Sequence, residues 1–523
     1  MGLLFCTFTS MFDSDQDLSL LRRLRQGILF ARERVYRIAS PTPLERIDGI
    51  GEAEVFVKRE DISPIKAYKW RGAYNRMAVL SEDEKKRGVI TASAGNHAQG
   101  VALAADALGV DATIYMPQTT PLVKQRAVSK LGGSRVTIVL HGDSYDDACT
   151  AALAKSEAEE LLYVHAYDDL QVMAGQATLA DEVVMSGEGP FDVAYLQIGG
   201  GGMAAGVAAW LKTYYPDIHI VGVEGTGQAS MKAAVAAGEP VRLPELDIFC
   251  DGTAVRKAGE LPFEICKDLI DEFVTVSNHE VSEAIRLYWD RLRCLSEPSG
   301  AMGLAGAWQQ RAKLKAKRVL VVLCGANIDF NRLATIAGEV GEGDQIRSYF
   351  RIEIPERSGS MLTLLNDAFD GVGIRAFQYG KNNGDLARPL FSITGTELKL
   401  EKVRNALRDK GYAFEELGES DEVRYRLVPL RSDLLTAPLF LDLEFYERPG
   451  ALRSYLTETI RGRGSFCYFN YVYSGERVGR ALIGIDFETD LERKEFLADL
   501  ATSGDGFRSC RPLGEDATQH LMG

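Results

Sequence analysis

A chain of 523 residues is too long for one compact core, so two or more domains are expected. Its 74 acidic against 60 basic residues leave a formal charge of -14, a field that disfavours contact with phosphate backbones, so nucleic acid is not an expected partner. No apolar run approaches the roughly 20 residues of a membrane span, the eight cysteines include no CxxC pair, and the six histidines include no HxxxH spacing, which points to a cytoplasmic protein with no membrane partner and no zinc site.

Residues 1–19 read as an N-terminal tail. Met1-Gly2 hints at acylation, but Cys6 stands where that pattern wants Ser or Thr. The stretch from Leu18 to Arg37 is rich in Arg and Leu, yet Asp13, Asp15 and Asp17 precede it, unlike an acid-poor transit peptide. It is expected to be an amphipathic helix lying on the catalytic body. From about residue 50 to 335, short apolar runs such as Val89-Ile90-Thr91, Ala112 to Met116, Val136 to Val139 and Val319 to Leu323 alternate with helical patterns. This predicts an α/β fold with buried, mostly parallel strands and a ligand site at their carboxyl ends.

Lys69 lies in Ala67-Tyr68-Lys69-Trp70-Arg71-Gly72-Ala73. Most lysines only solvate a surface, and Lys58 and Lys66 have no comparable surroundings. Tyr68 is placed to cover a cofactor ring, with core packing as the plainer alternative. The loop Ser93 to Gly100 joins the strand Val89 to Ala92 to a helix beginning near Ala98 and offers backbone donors suited to a carboxylate. Asn96 adds an amide that can donate to a ring oxygen. His97, a lone histidine, is given no acid-base role.

Phe191 to Ile198 reads as a strand, Gly199 to Gly202 as a turn and Met203 to Tyr214 as a helix, so several N–H groups face outward at a positive helix end and suit a phosphate. The same residues fit a dinucleotide fold, because Gly200-x-Gly202-x-x-Ala205 is followed by a strand ending in Glu224. These residues alone do not separate the two. A nicotinamide site, however, leaves Lys69, the Ser93 loop and Cys324 without a role. Cys324 follows the strand Val319 to Leu323; a neutral thiol there can hydrogen-bond a pyridine nitrogen without forcing its protonation, although a buried cysteine is more commonly a small apolar residue. A lysine amine, a carboxylate-receptive loop and a glycine turn together match pyridoxal 5'-phosphate, for which the lysine is a Schiff-base partner.

The Gly-rich acidic segment Gly338 to Asp344 marks a boundary, giving a catalytic domain over 20–338. In the tail, Arg351 to Leu362 is echoed by Asp442 to Leu452, and Phe377-Gln378-Tyr379 by Phe469-Asn470-Tyr471. Each copy reads as strand, helix, strand, strand, which predicts a duplicated α+β unit over 346–430 and 437–523. A packing or dimerisation role without a ligand is the plainer reading of it.

Lys58-Arg59-Glu60-Asp61, the Lys69 block, Val89 to Gly100, Met173-Ala174-Gly175-Gln176, the tetraglycine turn, Asp251 to Val255, Glu297-Pro298-Ser299-Gly300-Ala301 and Cys324-Gly325-Ala326-Asn327 together resemble fold type II pyridoxal-phosphate enzymes of the tryptophan synthase β kind. With its tail modules, which resemble ACT-like amino-acid-binding units, the whole chain is similar to the biosynthetic threonine dehydratase family. The resemblance implies that Lys69 holds the cofactor and moves the substrate α-proton, and that Gly199, Gly200, Gly201, Gly202 and Met203 bind its phosphate. It further implies Asn96 at the ring oxygen, Cys324 at the ring nitrogen, Ser93, Gly95, Asn96 and His97 around the substrate carboxylate, and Glu297 near the ring.

The implied reaction is conversion of L-threonine to 2-oxobutanoate and ammonia for isoleucine synthesis, by a homotetramer inhibited by isoleucine, or by valine, through contacts at Gln378, Tyr379, Asn470 and Tyr471. Three positions depart from the family's pattern. Cys324 replaces the usual Ser and resembles serine dehydratases; Trp70 is bulkier than usual; Ala94 replaces a serine found in serine racemases. Gln228 and Ser230 after Glu224 do not match the racemase metal pattern, so no metal is expected. A serine-preferring dehydratase, a β-replacement enzyme of the same fold and a non-catalytic amino-acid sensor are the alternatives.

Overall fold

The computed structural model describes residues 19–339 and, within 346–522, those outside 356–359, 370–371, 379–385, 419–422, 424–434, 447–459, 461–462, 472–477 and 503–506. Two compact units divide it, Met1–Ile328 and Asp329–Gly523. The helix Phe330–Glu339 therefore goes with the second unit, ahead of the acidic segment at which the sequence suggests a boundary.

The first unit holds ten strands: β1 (Leu44–Ile47), β2 (Glu54–Arg59), β3 (Val89–Ala92), β4 (Ala112–Met116), β5 (Val136–Leu140), β6 (Leu162–Tyr163), β7 (Val193–Gln197), β8 (His219–Gly225), β9 (Glu272–Val276) and β10 (Arg318–Leu323). They form a six-stranded sheet ordered β1-β2-β10-β7-β8-β9 and a four-stranded sheet ordered β5-β4-β3-β6. All pairs are parallel except β1 with β2. The inner strands read as unbroken apolar runs because helices cover both faces: every residue of β7 and β3 is buried, and all of β10 after Arg318.

The N-terminal helix Leu20–Val35 is amphipathic, as its spacing predicts. Leu24, Ile28, Ala31 and Val35 fall on one face and are buried. The first three join the core around Met173, Ala174 and Ala177 of the helix Leu170–Met185. That helix meets Trp70–Ala78 almost backbone to backbone, since a Cβ built on Gly175 would stand 2.5 Å from the Arg71 carbonyl oxygen. Gln176 completes the junction by accepting from the Gly72 N–H at 3.1 Å.

Four charges sit inside this junction. Arg71, fully buried, donates to both oxygens of Glu60 at 2.9 Å and to Glu182 at 2.5 and 3.0 Å. Lys58, also fully buried, donates to Glu182 at 2.5 Å and to the Thr42 carbonyl. Two cations against two carboxylates leave no net charge, which is what makes their removal from water tolerable. Burial alone would lower the Arg71 pKa; Glu60 and Glu182 more than offset this and raise it.

In the second unit, β11 (Ile346–Ile352), β12 (Ile354–Pro355), β13 (Gly373–Gln378), β14 (Leu386–Ala387), β15 (Leu390–Gly395) and β16 (Phe414–Leu417) precede β17 (Ala437–Tyr446), β18 (Ser465–Tyr471), β19 (Val478–Phe487) and β20 (Ser509–Pro512). The antiparallel sheets run β13-β15-β11-β16 and β18-β19-β17-β20, the same order twice. Even the irregularities repeat, with a register shift at Ile374/Ala376 in β13 and at Phe466/Tyr468 in β18. Each module is longer than the strand-helix-strand-strand unit legible in the sequence. A second helix, Glu397–Asp409 or Asp490–Thr502, leads to the closing strand β16 or β20.

Arg71→Met should lower the unfolding free energy by about 3–5 kcal/mol, since Glu60 and Glu182 would stay buried without their main partner. Arg404→Ala, whose Glu397, Glu401 and Glu416 partners are at the surface, should cost under about 1 kcal/mol. Urea unfolding followed by circular dichroism separates the two.

Candidate active site

Three chain segments end at the carboxyl edges of parallel strands and meet around Lys69. The first is pinned by backbone pairing: Tyr68 N–H donates to the Cys324 carbonyl at 3.1 Å, Ala326 N–H to the Lys66 carbonyl at 2.9 Å, and Ala67 bridges Gly325. Lys69 itself is the N-cap of the helix Trp70–Ala78. Its side chain keeps some accessible surface, as a group opening on a cleft must. Surrounding protein nonetheless lowers the amine pKa through burial, against the opposing pull of Cys324, Glu297 and Asp251.

The second segment follows β3. The helix Asn96–Leu108 begins two residues earlier than the sequence suggests, so Asn96 and His97 lie in its first turn. Gly100 packs against Lys69, and a Cβ there would be 3.1 Å from the Lys69 carbonyl carbon. No side chain caps this helix, and a Cβ at the N-cap Gly95 would meet nothing within 4 Å. Ser93, Gly95 and Asn96 are partly exposed there. The Ser93 hydroxyl accepts from Gly95 N–H at 3.3 Å. His97 turns inward, its Nε2 2.9 Å from the Val164 carbonyl, and burial followed by Lys69 pushes its pKa down to about 3. Its Nδ1 is buried without a hydrogen-bond partner.

The third segment is the glycine turn after β7, leading into the helix Gly202–Tyr214. Gly201, its N-cap, has φ +94°, and again no side chain caps the helix. A Cβ at Gly199 would stand 2.8 Å from Thr253 Cα, at Gly200 2.2 Å from the Tyr167 ring, and at Gly202 2.6 Å from the Tyr167 carbonyl oxygen. Packing thus demands glycine along the turn. Met203 is buried just inside the helix. The turn connects to the rest of the site through Thr253, whose hydroxyl is 3.2 Å from that of Ser299.

Cys324 lies 3.7 Å from the Ser299 carbonyl, and burial followed by Glu297 pushes its thiol up to about 12. It is therefore a neutral group. Tyr68 is partly exposed beside it, and its phenol is raised by burial and then by Cys324 and Glu297. Glu297, N-cap of the helix Pro298–Gln309, is buried, accepts from Asn96 Nδ2 at 2.7 Å and from Asn327 N–H at 3.1 Å, and is pushed up to about 7 by burial and then by Asp251. Asn327 Nδ2 donates in turn to Asn96 Oδ1 at 2.7 Å. The Asn96 amide, expected at a ring oxygen, thus has its orientation set by these two neighbours.

The model of the pyridoxal-phosphate dependent enzyme family matches residues 35–325, more than half of the chain, and that of the C-terminal regulatory domain of threonine dehydratase matches 437–518. The biosynthetic L-threonine dehydratase of Burkholderia multivorans is 35% identical over 90% of this chain and 94% of its own length; that of Escherichia coli K12 is 34% identical over 91% and 95%. This chain belongs to the threonine dehydratase family of pyridoxal-phosphate dependent enzymes. The processed form of threonine deaminase isoform 2 from Solanum lycopersicum superposes with a TM-score of 0.59 at 40% identity, covering 63% of this chain and 95% of that one. Maize serine racemase gives 0.55 at 28% identity over 59% and 95%.

The residues present fit the cofactor of that family. An uncapped glycine turn suits its phosphate, a desolvated lysine its aldehyde, and a neutral thiol its ring nitrogen. Among the described residues no group of three or more His, Cys, Asp or Glu could hold a metal ion, and no helix is long and apolar enough to cross a membrane. Glu224, at the end of β8, accepts from Met231 N–H and Lys232 N–H at 2.8 Å each and so caps the helix Ser230–Ala237.

The sequence-predicted residues 68, 69, 93, 95–97, 199–203, 297 and 324 are brought into one region. The regulatory candidates Gln378, on β13, and Asn470 and Tyr471, on β18, fall on the equivalent edge strands of the two modules. Tyr379 lies outside the described residues. Sequence reading assigned no role to Asn327, which orients Asn96, nor to Asp251 and Lys124, which pair at 2.8 Å across 127 positions. Asn327 and Asp251 stood inside quoted motifs and were within reach; nothing local distinguishes Lys124.

Gly202→Ala should yield a folded protein that fails to retain pyridoxal phosphate, read as loss of its visible absorbance after gel filtration. For Glu297 the sign follows from a folded pKa of about 7 above an ordinary 4.5. Below the lower value both states are protonated. Between the two only the unfolded chain releases the proton, so stability falls as pH rises, and above the higher value the full cost remains. Relative to the parent, Glu297→Gln should gain about 1–3 kcal/mol between pH 5 and 8 in denaturant titrations.

Proposed function

We propose that this enzyme is a lyase converting L-threonine to 2-oxobutanoate and ammonia, the committed step of isoleucine synthesis. The arrangement that carries the reading is Lys69 wedged between an uncapped helix N-terminus and the end of β10, with a glycine turn tied in through Thr253 and Ser299. Pyridoxal phosphate, when bound, supplies an electrophilic carbon for the substrate amine and a ring that accepts electrons from the α-carbon. Lys69 is the residue that holds it. With the cofactor bound, the Lys69 amine, its pKa lowered by burial, would also serve as the base at the substrate α-carbon.

The chain's other residues bind and orient. N–H groups of the first turn of Asn96–Leu108 receive the substrate carboxylate, with Ser93 and Gly95 beside it, and the glycine turn with Met203 holds the cofactor phosphate. Cys324 remains a neutral partner of the ring nitrogen, and Tyr68 covers the ring. With the α-proton removed, the β-hydroxyl leaves as water. Addition of one water then releases the oxoacid and ammonia, so atoms balance. In the regulatory modules, Asn470 and Tyr471 contact an amino-acid effector, isoleucine, in a cytoplasmic homotetramer.

Borohydride reduction of the cofactor-loaded enzyme followed by peptide mapping should label Lys69, and Lys69→Ala should lose at least about four orders of magnitude in 2-oxobutanoate production. Labelling of a different lysine overturns the assignment. Assays with serine alongside threonine fix the preferred substrate. Asn470→Ala should raise the isoleucine concentration for half-inhibition while leaving uninhibited turnover intact.

A further inference from the structure

One ion pair joins the two sheets' territories beside the site, and no step above uses it. Lys124 belongs to the helix Leu122–Gly132, packed on the four-stranded sheet; Asp251 lies in the segment before the helix Glu260–Leu269, on the six-stranded side. Their charged atoms are 2.8 Å apart and both side chains are about four-fifths withdrawn from solvent, at 19% and 20% exposure. Surface pairs of this kind contribute little, but partial burial next to other charges raises the stakes.

The position of Asp251 is what gives the pair a role. Its neighbour Gly252 is so close to the site that a Cβ there would be 2.9 Å from Ser299 Oγ and 3.3 Å from Glu297 Oε1. Glu297 in turn holds Asn96, in the first turn of the helix expected to receive the substrate carboxylate. Glu297 therefore stands directly behind a cradle that must attract a carboxylate, with Asp251 next along the chain to Gly252 and its charge felt at Glu297.

We infer that Lys124 is a positioning residue for substrate binding, pairing with Asp251 to offset the negative charge behind the carboxylate cradle. The inference rests on the reading that Ser93 to His97 receive the substrate carboxylate. It makes Lys124 act through Asp251 and not by touching substrate, and this distinction is testable.

The full chain loaded with pyridoxal phosphate is compared with Lys124→Met, Lys124→Arg, Asp251→Asn and the Lys124→Met/Asp251→Asn double variant. Calorimetric Kd for L-2-aminobutyrate, which lacks the leaving hydroxyl, is read beside kcat and KM for threonine. Lys124→Met should raise Kd and KM about tenfold or more with kcat changed less than about threefold, and Lys124→Arg should bind like the parent. The double variant should return to within about threefold of the parent, because the charge needing compensation is gone.

A double variant as weak as Lys124→Met, or a Lys124→Met that binds like the parent, overturns the inference. Should Lys124→Met fail to fold, Asp251→Asn alone decides: equal or tighter binding supports the role and weaker binding overturns it. A parent chain that binds neither aminobutyrate nor threonine overturns the proposed function along with this inference, whereas binding by the parent with indifferent variants overturns the inference alone.

Discussion

The backbone pairing of residues 66–68 with 324–326 is the constraint on which the site depends. Two hydrogen bonds and one bridge bring the residue before Lys69 against the end of β10, although more than 250 positions separate them in the chain. Lys69 then has little freedom. Behind it, the helix it caps is held by Gly175 and Gln176 of the helix Leu170–Met185 and by the Arg71 charge cluster; above it, Gly100 allows the helix Asn96–Leu108 to close in. These contacts fix the backbone at Lys69, and so the point from which its side chain starts, the condition a covalent cofactor anchor requires.

The electrostatics follow from the same crowding. Burial raises every group that would be anionic and lowers the amine that would be cationic: Cys324 goes to about 12, Glu297 to about 7, and Lys69 moves down. Cys324 is thereby held as the thiol, while Glu297 titrates close to neutral pH. The charged network lies one layer back, where Arg71, Lys58, Glu60 and Glu182 neutralise one another away from the cleft.

Much of this was legible in the sequence because the chemistry is local in the chain. The glycine turn, the Ser93 loop, Lys69 and Cys324 each announce themselves by residue types that a strand end or helix start needs, and the α/β rhythm orders them. What stayed hidden is pairwise and distant. Lys58 and Arg71 read as ordinary basic residues until folding buries them against Glu182, 124 and 111 positions away. Lys124 has no local mark at all. The first turn of Asn96–Leu108 was misjudged by two residues because Gly95 supplies no side-chain cap, the usual signal for a helix start. The second half of each regulatory module escaped notice because its helix and closing strand do not repeat in residue type, whereas the sheet order that contains them does.

Glu224 shows how a motif compatible with two folds is decided by partners. The strand β7, the glycine turn, the helix Gly202–Tyr214 and a second parallel strand ending in an acid reproduce the outline of a dinucleotide site. In such a site the acid must offer its oxygens to a ribose. Here Glu224 is fully buried, and both oxygens accept N–H groups at the start of the helix Ser230–Ala237. Burial pushes its pKa up to about 7, against the lowering effect of the Met231 and Lys232 N–H groups. With the acid committed to capping, a ribose has no partner at this strand end.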